Sequence, residues 1–374
     1  MNLAAVTRRV KEEAHHLGFE RVGIAPVRTS PRAAFLDSWL AAGMHGEMAY
    51  LARNPARRAN PGEVLPGARA VIVVGLAYAP ARLPDDLPGI APHLSVYARG
   101  ADYHDVVGPP LRELLGFLRR EAGAAVDGRA YVDTGPLLER DLAAQAGIGW
   151  VGRNTMTLDR RGSWFFLAEI VVDVELIPDP EVEDLCGTCT ACIDACPTGA
   201  LLEGTRMDAR RCISYLNIEL RGTIPSDRRA DLGAHLFGCD ICQEVCPWNA
   251  RAAPVERPEF AAGASVRALT LAALLQLTPE AFSVAFRGSP LKRAKRAGIA
   301  RNAAVVLGNL GDRAATPALA AALSGHDDPQ VRGHAAWALG ALGGAGARRA
   351  LERARGADPL VEVREEIERA LERS

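Results

Sequence analysis

All eight cysteines of the 374-residue chain fall between Cys186 and Cys246, and no other feature of the sequence restricts the fold so sharply. The first run is Cys186-x2-Cys189-x2-Cys192-x3-Cys196-Pro197. This is the spacing with which three thiolates grip one 4Fe-4S cluster while the fourth reaches to another. A second cluster is therefore expected. Cys239-x2-Cys242-x3-Cys246-Pro247 repeats the last three positions, with Leu236 where the first cysteine would stand. Cys212 is the one cysteine left to replace it. Crossing of the fourth cysteines gives cluster 1 the ligands Cys186, Cys189, Cys192 and Cys246, and cluster 2 the ligands Cys196, Cys212, Cys239 and Cys242. Disulfides or two zinc sites are the alternatives. Neither accounts for two x3-Cys-Pro endings and a count that closes on eight.

The remaining composition is that of an ordinary soluble protein, 48% hydrophobic and 24% charged with a formal net charge of −1. Such a chain holds two or three domains. With no overall positive charge, a polyanionic partner has to be met by a local patch. The segment from Met1 to Arg21 carries charges throughout its helical pattern, with no apolar signal core, and no later run is long enough to span a membrane. A cytoplasmic protein is expected, in keeping with reduced thiols.

In chain order, residues 3 to 17 read as an amphipathic helix and Glu20 to Ala25 as a strand. Helical stretches follow at Pro31 to Ala42 and His45 to Arg53. The β-branched run Arg69 to Tyr78 reads as a buried central strand, and Pro80 to Pro92 as a loop. Helices are expected at Leu111 to Ala122 and Pro136 to Ala146, with strands at Arg129 to Asp133 and Ser163 to Leu176. The first block, 1–180, is thus expected to be an α/β domain with a mixed sheet. Residues 181–252 form a ferredoxin-like two-cluster domain, and 253–374 a helical linker and repeat domain, giving an α+β multidomain chain. Gly147-Ile-Gly149-Trp-Val-Gly152 has the letters of a dinucleotide fingerprint without the strand before and the helix after that the fingerprint requires. A tight turn with close backbone approach is expected instead.

Between Phe286 and Arg301 stand six basic residues, Arg287, Lys292, Arg293, Lys295, Arg296 and Arg301, and no acidic one. They read either as a solvated helix face or as a phosphate-binding patch. Ala303-Ala-x2-Leu307-Gly-x-Leu310-Gly311 recurs as Ala335-Ala-x2-Leu339-Gly-x-Leu342-Gly343, a HEAT-like repeat spaced by 32 residues. Two copies cannot bury their faces alone, so they are expected to lean on the preceding helices. Asp133 sits where a strand is expected to end and a helix to begin, as a reactive side chain or as an N-cap. Tyr103 and His104 fall in a polar, aromatic loop after Arg99-Gly100, His104 being a functional or a structural histidine.

Taken together, SerValTyrAlaArgGlyAlaAspTyrHis (95–104), ValAspThrGlyProLeuLeuGluArg (132–140), AlaGlyIleGlyTrpValGlyArgAsnThr (146–155), GlySerTrpPhePheLeuAlaGluIle (162–170), the cysteine pattern with CysIleSerTyrLeu (212–216), and the repeat tail resemble the epoxyqueuosine reductase family. The resemblance runs over nearly the whole chain. It implies a cobalamin-dependent enzyme with two 4Fe-4S clusters that removes the epoxide oxygen from epoxyqueuosine at the wobble position of tRNA. An external electron donor, no membrane partner and a monomeric chain are expected beside it. Carried over by motif, Asp133 is the proton donor. Corrinoid contacts fall at Arg58, Asp133, Thr157, Leu167, Ser214, Tyr215 and the segment Cys239, Asp240, Ile241 and Cys242; Arg57 stands beside Arg58 as its competitor.

The D-x-H-x-x-G signature of histidine-ligated corrinoids is absent, because the glycine after Asp102-Tyr-His104 comes one place late at Gly108. Tyr103 and His104 are thus left for the substrate side. A corrinoid reductive dehalogenase-like enzyme and a plain ferredoxin-type electron carrier are the rival readings. The first is usually exported by a twin-arginine signal that residues 1–21 do not carry, and the second has no use for so long a first block.

Overall fold

The computed structural model describes residues 2–78, 87–122 and 126–373; positions 80–86 of the expected Pro80–Pro92 loop lie outside them. Two compact units share the chain. One comprises Met1–Arg82, Asp102–Arg210 and Ile241–Glu259, the other Leu83–Ala101, Arg211–Asp240 and Phe260–Ser374. The expected blocks 1–180, 181–252 and 253–374 follow one another along the chain, whereas these two units interleave. Residues 90–95 are tied to later segments through their backbone: Ser95 N donates to Phe237 O, Leu236 N to His93 O and Ile90 N to Val266 O.

The first unit is an antiparallel sheet with helices. Its strands β1 (Arg21–Pro26), β2 (Ala70–Ala77), β3 (Gly128–Tyr131) and β6 (Phe165–Val172) run in the order β1-β2-β6-β3. β4 (Trp150–Val151) and β5 (Thr157–Leu158) make a separate hairpin. Every residue of β2 is buried, as its unbroken apolar run requires of a central strand. Each sheet pairing is antiparallel, which corrects the expected mixed sheet. A parallel neighbour needs a crossover that carries the chain back to the end where the first strand began. The helices α2 (Ala33–Ala41) and α3 (Pro55–Ala59) between β1 and β2 make no such return.

Helix α1 (Leu3–His16) turns Val6, Val10 and Ala14 inward. Helix α4 spans Tyr103–Ala122 and contains Pro109 and Pro110, so it begins well before the expected Leu111. The prolines remove two intrahelical donors. Burial of Val107, Leu111, Leu114, Leu115 and Leu118 along one face outweighs that loss, at about 1.5–3 kcal/mol for each large aliphatic side chain.

In the second unit, short helices Ala264–Ala268, Leu271–Leu274 and Pro279–Ala285 precede five longer ones. These are α6 (Lys295–Leu310), α7 (Thr316–Gly325), α8 (Pro329–Leu342), α9 (Gly344–Ala354) and α10 (Val361–Arg373), following α5 (Glu139–Gln145) of the first unit. α6 packs on α8 and α8 on α10, while Leu271–Leu274 packs against α6 and α7. The repeat helices thus lean on a preceding one, as expected from two copies. Ala303 and Ala335, equivalent in the repeat, are both 0% exposed.

Candidate active site and iron-sulfur segment

Asp133 lies between β3 and α5 in a left-handed turn, φ +57°. The turn exists because the next residues are short and permissive. A Cβ on Gly135 would lie 2.7 Å from the Tyr131 ring, so only glycine lets the chain double back there. The N-cap reading of Asp133 does not hold. Helix α5 starts at Glu139, not Pro136, and its N-cap is Leu138 without a side-chain cap. What the turn does is present the Asp133 carboxylate to α4.

The first residues of α4 meet it. Tyr103 OH donates to Asp133 Oδ2 at 2.8 Å, and its ring stacks on Phe166 of β6 with centroids 4.5 Å apart and on His104 at 4.2 Å. His104 Nδ1 lies 2.6 Å from Asp102 Oδ1, and its Nε2 is 3.7 Å from the same Asp133 oxygen, an ion-pair rather than a hydrogen-bond distance. The Asp102 hydrogen bond, with a further pull from Asp133, raises His104 to about 9. Burial alone would raise Asp102; its bond to His104 outweighs that and holds it below its ordinary value. His104 is therefore an imidazolium at neutral pH.

Two glutamates that the sequence reading passed over complete the surroundings. Glu169, on β6 opposite Val73 and Tyr131, is 0% exposed. Its carboxyl faces that of Glu139, the first residue of α5. Burial, then the Asp133 charge, pushes Glu139 up to about 7. Burial, then Glu139, pushes Glu169 well above the carboxylate range. Arg58 of α3 is half-buried and feels the Glu139 charge, whereas Arg57 is exposed, so Arg58 is the arginine turned toward this site.

Gly147-Ile-Gly149-Trp-Val-Gly152 forms the tight approach expected of it. A Cβ on Gly149 would fall 2.0 Å from Leu158 O, so glycine lets β4 close on β5. That hairpin carries Thr157, which is 5% exposed, and Trp150. Trp150 Nε1 donates to Cys186 Sγ at 3.4 Å and its ring meets Trp248 edge-on. Cys186, Cys189, Cys192 and Cys246 all line one cavity of about 250 Å³ here. Among the described residues no three His, Cys, Asp or Glu side chains close around a single ion; the four thiols instead ring this larger space. Burial, then the neighbouring Cys186, pushes the Cys192 thiol up, as for sulfurs that ionise together only when metal compensates them.

Of the other four cysteines, Cys196 and Cys242 belong to the first unit and Cys212 and Cys239 to the second. Cys196 Sγ accepts from Ala200 N. Cys212 O accepts from Leu216 N, where a π-helical turn, Tyr215–Glu219, follows Ser214; such turns recur at functional sites. Leu236 is 0% exposed, a core side chain. Asp240 Oδ2 accepts from Val96 N at 2.7 Å. Leu167 of β6 is partly buried against the sheet core.

The basic segment is largely committed within its own unit. Arg301 is 2% exposed and donates to the carbonyls of Leu216, Leu220 and Gly222. Arg293 pairs with Glu219 and Arg296 with Asp327. Arg287, Lys292 and Lys295 are exposed.

Residues 58–134 match the family described as epoxyqueuosine reductase QueG, residues 185–249 the 4Fe-4S double cluster binding domain, and residues 290–372 the HEAT repeats. An epoxyqueuosine reductase of Pseudomonas aeruginosa is 42% identical over 342 residues, covering 90% of this chain and 94% of that one. The chain belongs to the epoxyqueuosine reductase family. It is similar over 99% of both chains, with a TM-score of 0.91 and 31% identity, to an epoxyqueuosine reductase crystallised with a tRNA-Tyr epoxyqueuosine-modified stem loop. A Bacillus subtilis epoxyqueuosine reductase, described with its catalytic aspartate loop swung out of the active site, aligns equally well at 30% identity.

The chain is an oxidoreductase, and the cofactors that go with epoxyqueuosine reductases are two 4Fe-4S clusters, matched directly by the double-cluster segment, and cobalamin. The thiol-lined cavity fits a cluster. The residues expected at the corrinoid also fit a ligand, because Arg58 Nε and Thr157 Oγ1 are buried with no hydrogen-bond partner among the described residues, and buried polar atoms ordinarily have one. Among the described residues no helix is long and apolar enough to cross a membrane.

Proposed function

We propose that this chain reduces epoxyqueuosine to queuosine at the wobble position of tRNA, with Asp133 as proton donor. The observation that carries the reading is the presentation of Asp133 on its left-handed turn, with the Tyr103 hydroxyl and the His104 imidazolium facing one carboxylate oxygen. The catalytic aspartate loop of the Bacillus subtilis relative and the tRNA stem loop of the other support it.

Loss of the epoxide oxygen as water consumes two electrons and two protons. Arg58, Thr157, Leu167, Ser214, Tyr215 and the segment Cys239 to Cys242 would hold cobalamin, which when bound would supply the reducing electrons. Asp133 delivers a proton to the oxygen as its bond to carbon breaks. Tyr103 and His104 hold the Asp133 side chain and take the substrate side of the site. Cys186, Cys189, Cys192 and Cys246 would hold cluster 1, and Cys196, Cys212, Cys239 and Cys242 cluster 2, the pair serving to pass electrons from an external donor. The second set rests on the cysteine count. Oxygen-sensitive clusters and a tRNA substrate suit the cytoplasm.

Single-turnover reduction of epoxyqueuosine-tRNA by pre-reduced, cobalamin-loaded protein tests this, because it bypasses electron delivery. Asp133→Asn keeps the shape and loses the proton, so its rate drops by about 10² to 10⁴-fold while cobalamin and tRNA still bind. Epoxide reduction by the Asn variant at the wild-type rate removes Asp133 from the chemistry.

A further inference from the structure

We infer that the Glu139–Glu169 pair is a buried proton store that supplies, through Asp133, the second proton of each turnover. The inference rests on the functional reading above, since only a reaction that expels the oxygen as water needs two protons where one aspartate gives one.

The geometry sets these carboxyls apart from structural ones. No described N–H or O–H group reaches Glu139 Oε1 or either oxygen of Glu169. The two carboxyls face each other across β6 and the start of α5, and Glu139 raises the pull of Glu169 on a proton. Two adjacent carboxylates, one fully buried and the other half-buried with an enclosed Oε1, cannot both ionise without large cost, so the pair shares a proton. Nothing in the fold asks for this, because Glu169 occupies a central strand position where an apolar residue would pack without that cost.

The pair is also connected. The Glu139 carboxylate accepts the Asp133 backbone N–H, and Asp133 is the nearest further negative charge felt by both glutamates. The positive groups facing Glu139 are Arg140 on its own helix and Arg58 of α3. The Asp133 side chain is 40% exposed, so water reaches it between turnovers; a substrate seated over it cuts off that supply, and the proton must then come from within. Glu139, at about 7, is tuned to give up a proton at neutral pH. His104, held near 9 by Asp102, gives one up less readily. In the transfer, a Glu O–H bond breaks and an Asp133 O–H bond forms. The pair gains one negative charge, and water restores its proton when product leaves.

The test has two arms. Infrared spectra of the holoprotein in light and heavy water, recorded through about pH 7, should show a carboxylic-acid carbonyl band that shifts with deuterium and titrates. The band should vanish in the double variant Glu139→Gln, Glu169→Gln. Glutamine keeps the acceptor for the Asp133 N–H, so a purely structural role predicts unchanged rates. The inference expects single-turnover product formation to fall about 10²-fold in Glu169→Gln, and the wild-type loss of rate above neutral pH to disappear. Absence of the band from wild type, which needs no variant to fold, overturns the store, as does a Glu169→Gln rate matching wild type at every pH. Failure of wild type to reduce the epoxide counts against the functional reading, and the infrared arm, which uses no substrate, still decides the pair.

Discussion

His104 carries its charge chiefly because of one neighbour. Asp102 lies two residues back at the mouth of α4, its oxygen 2.6 Å from Nδ1, and the bond favours the imidazolium. Because the folded-state value is raised, from 6.5 to about 9, the pair contributes stability in full below about 6.5 and loses it as pH rises through about 9. A proton NMR titration should therefore place the His104 midpoint near 9, and Asp102→Asn should return it toward 6.5. A wild-type midpoint near 6.5 refutes the arrangement. Read as sequence, Asp102-Tyr103-His104 was visibly polar and aromatic, yet nothing in it said that His104 would be ionised. Asp133 was legible as a junction residue; its left-handed φ was not, because the turn it belongs to, with Gly135 close against the Tyr131 ring, is made only on folding. Glu139 was taken into a helix pattern. Glu169 left one trace, a lone charge inside the apolar run Phe165–Val172, and that trace was readable.

At the scale of elements, regular periodicity was the reliable guide. The unbroken run of β2 and the repeat spacing of α6 and α8 appear where they were expected, since both patterns come from burial alone. The start of α4 was missed because Pro109 and Pro110 look like a break, and the side chains that outweigh them are recognisable only once the sheet is formed. In the iron-sulfur segment, Leu236 fills the place of a missing ligand, and its side chain is wholly in the core, so it offers nothing to iron. Cys212, at the entry to the π-helical turn, is the donor proposed in its place. Cys212→Ala should leave the thiol-ringed cavity of Cys186, Cys189, Cys192 and Cys246 intact while cluster 2 is lost. Iron per chain then falls toward half, with one cluster signal persisting in the electron paramagnetic resonance spectrum of reduced protein. Full iron retention by that variant would show that another residue ligates cluster 2.

For the whole molecule, a formal net charge of −1 sets the terms on which it meets a polyanion. Long-range attraction to the proposed tRNA substrate would then be weak, and affinity would depend on local cations that displace counterions from phosphates. The basic run of residues 287–301 supplied six candidates in sequence, and folding divides them. Arg301 serves as an internal strut for the π-helical region, donating to three carbonyls, while Arg293 and Arg296 are answered by Glu219 and Asp327. Arg287, Lys292 and Lys295 keep exposed charge and are the ones able to reach phosphate. Binding of a tRNA stem loop, measured as log affinity against log salt, should lose about 0.7 to 0.9 of slope for each of Lys292 and Lys295 replaced by alanine, with weaker binding at low salt. Arg293→Ala, which removes a charge already paired, should change the slope far less. If the two lysine variants retain the wild-type slope, the run is a solvated surface and tRNA is held elsewhere on the chain.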